Sequence, residues 1–594
     1  MYSFCCVNKS KDIQDTIGKL SILNFKKCDY PDKKPYFCFL NIYKNFKQKI
    51  FDMQNIGGQI VDITNRIIKS GFIYFEGGKI VRFEPSDKVP DQYIIPGFVD
   101  AHIHIESSMM LPAEFARYST VHGTVACICD PHEIANVCGV AGVDYMIENG
   151  KHSPLKFYFG APSCVPATDF DSAGAVLNAE SIDELLGRDD IYFLAEMMNY
   201  NGVIENDAQV HKKLSAAKRH NKPVDGHAPG LSSEGLEIYA KSGISTDHEC
   251  MTPEEAVEKI ALGMKILIRE GSAAKNFDDL LPLLDNYTDE IMFCSDDKHP
   301  DDLIKNGHID ALARRAVAAG YDPLQVIRIC SYNPVKHYKL DVGLLQTGDN
   351  ADFVVVNNLK DFEIKQTYIQ GVKVAENKTA LFPSFEPKEL LNNFKAKKLT
   401  TNQLRVEPTG DQLKVIVVDD GQLFTHSELV VPRIENGNLV SDISNDVLKL
   451  VVYNRYRDAK PAIGFIKNIG LKRGALASTV SHDSHNIVAV GTSDEELVNA
   501  INHIIDSKGG IIACEGNNVA LLSLPVGGLM SEKEGNLIAD RYEELDKMVK
   551  NLGSQLKAPF MTVAFMSLLV IPKLKLSDQG LFDGRTYSFT NLMV

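Results

Sequence analysis

Two histidines set two residues apart, His102 and His104, follow the apolar run YIIPGFVDA. On a β-strand, residues two apart face the same side, so both imidazoles can reach one point in space. Neutral imidazole is a common ligand for Zn, Fe and Mn. Further titratable residues end later apolar runs: Glu196 in IYFLAEM, His227 in PVDGHA, His248 in ISTDHE and Asp296 in IMFCSDD. Four imidazoles and two carboxylates make a candidate metal site. A carboxylate at Glu196 can bridge two cations through its two oxygens, with the histidines dividing between them, which predicts a binuclear centre. The mixed N and O set, with no thiolate, suits Mn, Fe or Zn rather than Cu(I) or an iron–sulfur cluster. Two divalent ions are expected, with Mn or Fe favoured and Zn compatible.

These residues converge only if they sit at one end of a common sheet. Between about residues 94 and 335, eight apolar runs alternate with helix-like segments such as SIDELLGRD and TPEEAVEKIALGM. Eight strand–helix units in about 240 residues predict an α/β fold with a (β/α)8 barrel. Barrel enzymes carry their chemistry at the C-terminal strand ends, where the polar tips fall. Two β-rich stretches flank this region, and they are expected to pair into a small composite β domain. A C-terminal α/β domain is expected after the joint KELLNNFKAKKLTTNQL. The predicted division is an N-terminal extension at 1–50, the composite β domain at 51–95 plus 340–385, the barrel at 96–339 and the C-terminal domain at 390–594. The extension shows no clear period and receives no role.

Composition narrows the function. The chain has 594 residues, 44% hydrophobic and 24% charged, and a formal net charge of -15. That sign repels a phosphate backbone, so no nucleic-acid partner is expected, and a small neutral or cationic substrate fits better. No run of about 18 apolar residues predicts a membrane helix. The N-terminus turns polar too early for a signal peptide, which points to a cytoplasmic protein. The 12 cysteines are scattered and read as free thiols, with no CxxC…CxxC zinc pattern.

The motifs are more specific than the histidine pair. PGFVDAHIHIESSMM resembles the first-strand signature of the amidohydrolase superfamily. CDPHEIANVCG, SCVPAT, AEMMNY, DGHAPG, IREGSAA, SDDKHP and GHIDALARRAV, then GFIKNIGLKRGALASTVSHDSHNIVAVG and LPVGGLMS, closely resemble bacterial and archaeal adenine deaminases. The resemblance spans about residues 60–590. It implies the barrel, the composite β domain, the C-terminal domain and a binuclear metal site. It also implies hydrolysis of adenine to hypoxanthine and ammonia by a metal-bound hydroxide, in purine salvage. Many superfamily members bridge their metals with a carboxylated lysine on the fourth strand; this chain offers Glu196, as adenine deaminases do. That weakens dihydroorotase-like and dihydropyrimidinase-like readings. By analogy with other such barrels, a homo-oligomer is expected.

Within that reading, Asp296 is the expected proton acceptor from the attacking water, and Glu133 and Asp130 are further catalytic candidates. Ser107, Ser108, His132, Arg269, Glu270 and Ser272 follow strand ends and are candidate substrate contacts. Asp297 is assigned a supporting place, because neighbours on a strand point to opposite faces. In SHDSH, His482, Asp483 and His485 are a candidate lid over the barrel mouth, ranked above a second metal-binding role, with a polar turn as the plainer reading. The alternatives are another amidohydrolase, such as a guanine or cytosine deaminase or a cyclic-amide hydrolase, and a non-catalytic protein that keeps the barrel.

Overall fold

The computed structural model describes residues 53–272 and 274–594, and the extension expected at 1–50 lies outside the described residues. The chain first forms antiparallel strands along which burial alternates. In Ile67–Glu76, Ile73 and Phe75 are buried while their neighbours are half-exposed. This strand turns into Lys79–Pro85 through Gly77 and Gly78, both at positive φ, as a two-residue hairpin requires. The strand Tyr93–Pro96 runs parallel to Gln54–Asp62 and antiparallel to Phe353–Val356. That pairing joins the strands before residue 97 and those after 352 into one eight-stranded sheet.

Between them lie two parallel sheets. One holds Phe98–Ile103, Thr124–Cys129, Lys156–Ala161, Ile191–Met197 and Val224–Gly226; the other holds Thr246–Asp247, Lys265–Arg269 and Ile291–Cys294. Isolated parallel bridges, Val224 to Ile244 and Ile103 to Asp296, link the two sheets at both edges. The eight parallel strands thus follow one another around a ring, with helices in the connections. The first two strands are buried along their whole length, as expected where a parallel sheet is covered on both faces.

Buried polar ties fix this ring. Asp100 accepts from the Ser295 backbone N–H at 3.0 Å and faces His308 Nε2 at 2.7 Å, pinning the first strand to the eighth. Lys259 is fully buried and pairs with Asp247 while donating to the Ala228 carbonyl at 2.8 Å.

The last third builds an eight-stranded mixed sheet in the order Thr425–Val430, Leu413–Val418, Ala462–Lys467, Val447–Tyr453, Ile487–Gly491, Ala475–Ser478, Gly510–Glu515 and Asn518–Ser523. The helix Asp494–Ser507 is capped by the Ser493 side chain and carries three acidic residues in its first turn, both stabilising at a helix N-terminus. It buries Leu497, Ala500, Ile501 and Ile504, the spacing of one helical face. Ser531 N–H donates to the Met109 carbonyl at 2.9 Å and Gly535 N–H to Glu114 at 3.0 Å, and one apolar core runs between the two regions. Among the described residues, no helix is long and apolar enough to cross a membrane.

Candidate active site

All six residues expected as ligands meet at the C-terminal ends of the ring strands. His102 lies in Phe98–Ile103 and Glu196 in Ile191–Met197, while His104, His227, His248 and Asp296 follow their strands by one or two residues. All six are buried. The Nε2 atoms of His102 and His104 stand 3.1 Å apart, and Asp296 Oδ1 lies 3.6 and 3.3 Å from them. Glu196 sits at the centre. Its Oε1 is 3.2 Å from His104 Nε2 and 3.3 Å from His132 Nδ1; its Oε2 is 2.8 Å from His227 Nδ1 and 3.2 Å from His248 Nε2. The two oxygens of one carboxylate therefore address two separate sets of imidazoles. Burial disfavours the charge on Glu196, but His248, His104, His132 and His227 outweigh it and hold the carboxyl well below its usual range.

The donors fit divalent cations. Ligand atoms of His102, His248 and Asp296 lie within 4.8 Å of one another, as do those of Glu196, His227 and His248, and those of His104, Asp130, His132 and Glu196. His104 Nδ1 faces the Asp130 carbonyl oxygen at 3.1 Å. A carbonyl only accepts, so Nδ1 carries the proton and Nε2 turns its lone pair toward the cluster, the usual arrangement of a ligating imidazole.

A second layer holds the first. Tyr239 Oη accepts from His227 N–H at 2.9 Å and donates to the Met197 carbonyl at 2.8 Å. Arg269 is buried, pairs with both oxygens of Glu249 and donates to Asp296 Oδ2 at 2.8 Å. Burial opposes ionisation of Asp296, yet Arg269, then His102 and His104, keep it well below the ordinary carboxylate range.

The C-terminal region covers the mouth. Glu133 is clamped by His482 Nδ1 at 2.6 Å and by His485 Nε2. The Ser481 backbone N–H donates to His485 Nδ1 at 3.3 Å, so His485 carries its proton on Nε2 and gives it to Glu133. Burial lowers His485 to about 4; for His482, the Glu133 charge overcomes burial and lifts it to about 9. Glu133 itself, although buried, is held well below its usual range by His482, His485 and His132. Burial, opposed by His132 and reinforced by Glu133, pushes Asp483 up to about 6. A cavity of about 40 Å³ remains between the regions. His104, Glu196, Arg269 and Asp296 line it from the barrel, and Leu423, His482, Asp483, Phe565, Leu568 and Ile571 line it from the C-terminal side.

Residues 93–374 match the amidohydrolase family, and residues 422–588 match the adenine deaminase C-terminal domain. An adenine deaminase of Methanosarcina mazei is 52% identical over 552 residues, covering 91% of this chain and 99% of that protein. The chain belongs to the adenine deaminase family. Its relatives include adenine deaminases of Salinibacter ruber, 50% identical, and Borreliella burgdorferi, 46% identical; each alignment covers 91% of this chain, with 99% and 100% of those proteins.

In this family member, sequence reasoning and geometry differ at several places. Asp296 and Asp297 both line the cavity, although alternation along a strand put only one there. The eighth strand ends at Cys294, and Asp296 adopts a φ of 54°, so strand alternation no longer applies. His132, expected at the substrate, does line the cavity and also stands 3.3 Å from Glu196, against 3.2 Å for His104. Asp130 does not line the cavity; its Oδ1 accepts from the His132 backbone N–H at 3.0 Å. Ser107 donates to Asp297, Ser108 donates to the Ile105 carbonyl at 2.6 Å, Glu270 pairs with Lys275 and Arg315, and Ser272 accepts from His299 N–H. None of these four lines the cavity. Sequence reasoning missed Glu249, whose signal was its place directly after His248, and the apolar cover of Leu423, Phe565, Leu568 and Ile571, which carried none.

Proposed function

We propose that this chain hydrolyses adenine to hypoxanthine and ammonia. His102, His104, Glu196, His227, His248 and Asp296 would hold two divalent ions of Mn, Fe or Zn. Such ions supply Lewis acidity and lower the pKa of water toward neutrality. The observation that carries the reading is the split of Glu196 between two imidazole sets beside a cavity lined by both the barrel and the C-terminal region.

The chain's own groups account for the proton movements. Asp296, kept ionised by Arg269, takes a proton from the water that attacks C6 and passes it to N1 of the ring. The imidazolium of His482, coupled through Glu133, protonates the exocyclic amine. As the C6–N bond breaks, ammonia leaves and the C6 hydroxyl collapses to a carbonyl. Its proton reloads the Glu133–His482 pair. General acid–base help of this kind is typically worth about 10²–10⁴-fold. The apolar cover excludes bulk water and strengthens these interactions.

The same reading divides the chain into the extension at 1–50, the composite β domain at 51–95 with 340–385, the barrel at 96–339 and the C-terminal domain at 390–594. The family matches at 93–374 and 422–588, and the shared sheet across Tyr93–Pro96 and Phe353–Val356, support that division. Yielding hypoxanthine from free adenine fits a salvage role, and a cytoplasmic homo-oligomer is part of the proposal. The test incubates metal-loaded protein with adenine, guanine, cytosine and cyclic amides, and measures ammonia or ring opening. Ammonia is expected from adenine. Release from guanine or cytosine alone, or hydrolysis of a cyclic amide alone, would replace the reading.

A further inference from the structure

Lys575 is fully buried in the strand Leu574–Ser577, and among the described residues it makes no ion pair. Its Nζ donates to two backbone carbonyls, Leu423 at 2.8 Å and Phe565 at 3.0 Å. Both of those residues line the cavity, and they lie about 140 positions apart in the chain. A buried lysine without a carboxylate is costly, and burial alone pushes this one down to about 7. A methionine or leucine of similar volume would fill the same core position without that cost. What the amine adds is a tie between two chain segments that otherwise belong to separate loops.

The surrounding bonds concentrate on the same junction. Thr425 Oγ1 donates to the Leu574 carbonyl at 2.8 Å, and Thr425 N–H donates to the Pro572 carbonyl at 3.2 Å. They anchor the start of the strand Thr425–Val430 beside the lysine. Phe565 stacks on His482 with ring centroids 4.8 Å apart, and His482 in turn bonds Glu133. Lys575 therefore reaches the cavity from behind its apolar wall and sets where Leu423 and Phe565 stand.

We propose that Lys575 is a positioning residue that holds the Leu423 and Phe565 segments together as a fixed wall against the substrate ring. It does not line the cavity and bonds none of the candidate metal ligands, so its effect is on how tightly a flat heteroaromatic ring is gripped. The inference rests on the adenine reading for its substrate but not for its geometry.

The test uses full-length, metal-loaded protein with Lys575→Met and Lys575→Arg. Hydrogen–deuterium exchange of peptides covering 421–424 and 565–571 reads the wall without any substrate. Faster exchange in those two segments is expected in Lys575→Met, with the strands at 98–103 and 291–294 unchanged. Unchanged exchange at the wall overturns the proposal. For turnover, KM for adenine should rise about tenfold in Lys575→Met and calorimetric affinity for hypoxanthine should fall by a similar factor, while kcat stays within about threefold. Lys575→Arg, which keeps the donors, should recover part of the KM. Equal losses in kcat and KM, or no recovery with arginine, overturn the positioning role. If wild-type protein neither turns over adenine nor binds hypoxanthine, the adenine reading fails, and the exchange result still decides the wall. If Lys575→Met does not fold, the exchange and KM comparison is made on Lys575→Gln, whose shorter amide cannot span both carbonyls, and wild-type values at both would overturn the tie.

Discussion

Arg269 is the test of how the proposed base is kept ready. It forms three buried charge-assisted bonds, two to Glu249 and one to Asp296, and its own side chain is about 2% exposed. Replacing it with methionine leaves two buried carboxylates without their cation. Breaking a buried pair by removing one partner costs about 3–5 kcal/mol, most of it the burden of the stranded charge. Both carboxylates keep two imidazole neighbours, His102 and His104 for Asp296 and His227 and His248 for Glu249, but Glu249 loses two of the three Arg269 bonds and so carries most of that burden. Arg269→Met should therefore lose about 3–5 kcal/mol, and Arg269→Met with Glu249→Leu should regain at least about 2 kcal/mol. Exchange-derived opening free energies for the strands Lys265–Arg269 and Ile291–Cys294 measure both. Activity should behave differently. Asp296 loses its fixed orientation in both variants, and misplacement of a catalytic group by about 1 Å can cost about 10²-fold, so kcat should stay about 10²-fold down even where stability returns. A single variant within about 1 kcal/mol of wild type would refute the electrostatic argument. A double variant with restored kcat would refute the positioning of Asp296.

Other substitutions separate the remaining roles. His102→Ala should lose bound metal and turnover together, read by metal analysis and ammonia release, whereas Asp296→Asn should abolish turnover with the fold intact by circular dichroism. Glu133→Gln should lower kcat about 10²–10⁴-fold, the usual worth of general acid–base help, with barrel metal content unchanged; near-normal kcat would remove Glu133 from the chemistry. Chelation should abolish ammonia release, and adding back Mn, Fe or Zn singly should identify the ion that restores it. Asp225 gives a pH test of stability: buried beneath Tyr338 and Thr246, it is pushed up to about 7 by burial. An acid whose folded pKa is raised is favoured folded below the unfolded value and loses that favour as pH rises through the folded one. The rise from 3.8 to about 7, at about 1.4 kcal/mol per pH unit, is about 4 kcal/mol. Asp225→Asn should therefore gain up to about 4 kcal/mol relative to wild type between pH 4 and pH 8, and a pH-independent difference would contradict the assignment.

The ring was readable because each strand tip announced itself. An apolar run ending in a titratable residue is a one-dimensional signal, and His102, His104, Glu196, His227, His248 and Asp296 all carry it. Strand alternation was a weaker guide. It failed at Asp296 and Asp297 because alternation holds only while φ stays negative and the strand continues. Loop candidates such as Ser108 and Glu270 were named for following strand ends, but a loop side chain turns toward whichever partner is near, and theirs were a local carbonyl and two surface cations. Leu423, Phe565, Leu568 and Ile571 were illegible for a different reason. A hydrophobic residue facing a cavity and one facing the core have the same sequence signature, and only long-range packing decides between them.

The cover comes from chain that follows the last ring strand by more than a hundred residues. A ribosome-bound intermediate whose ring has already folded would hold its titratable strand tips open to solvent. Residues 423, 482 and 565 must all emerge and dock before the chamber closes, so chemical competence arrives only near the end of synthesis. A chain cut short after the ring would keep the strand-end cluster but lack the Leu423, His482 and Phe565 side of the cavity, and damage that loosens the docking late in the protein's life would return it to that condition.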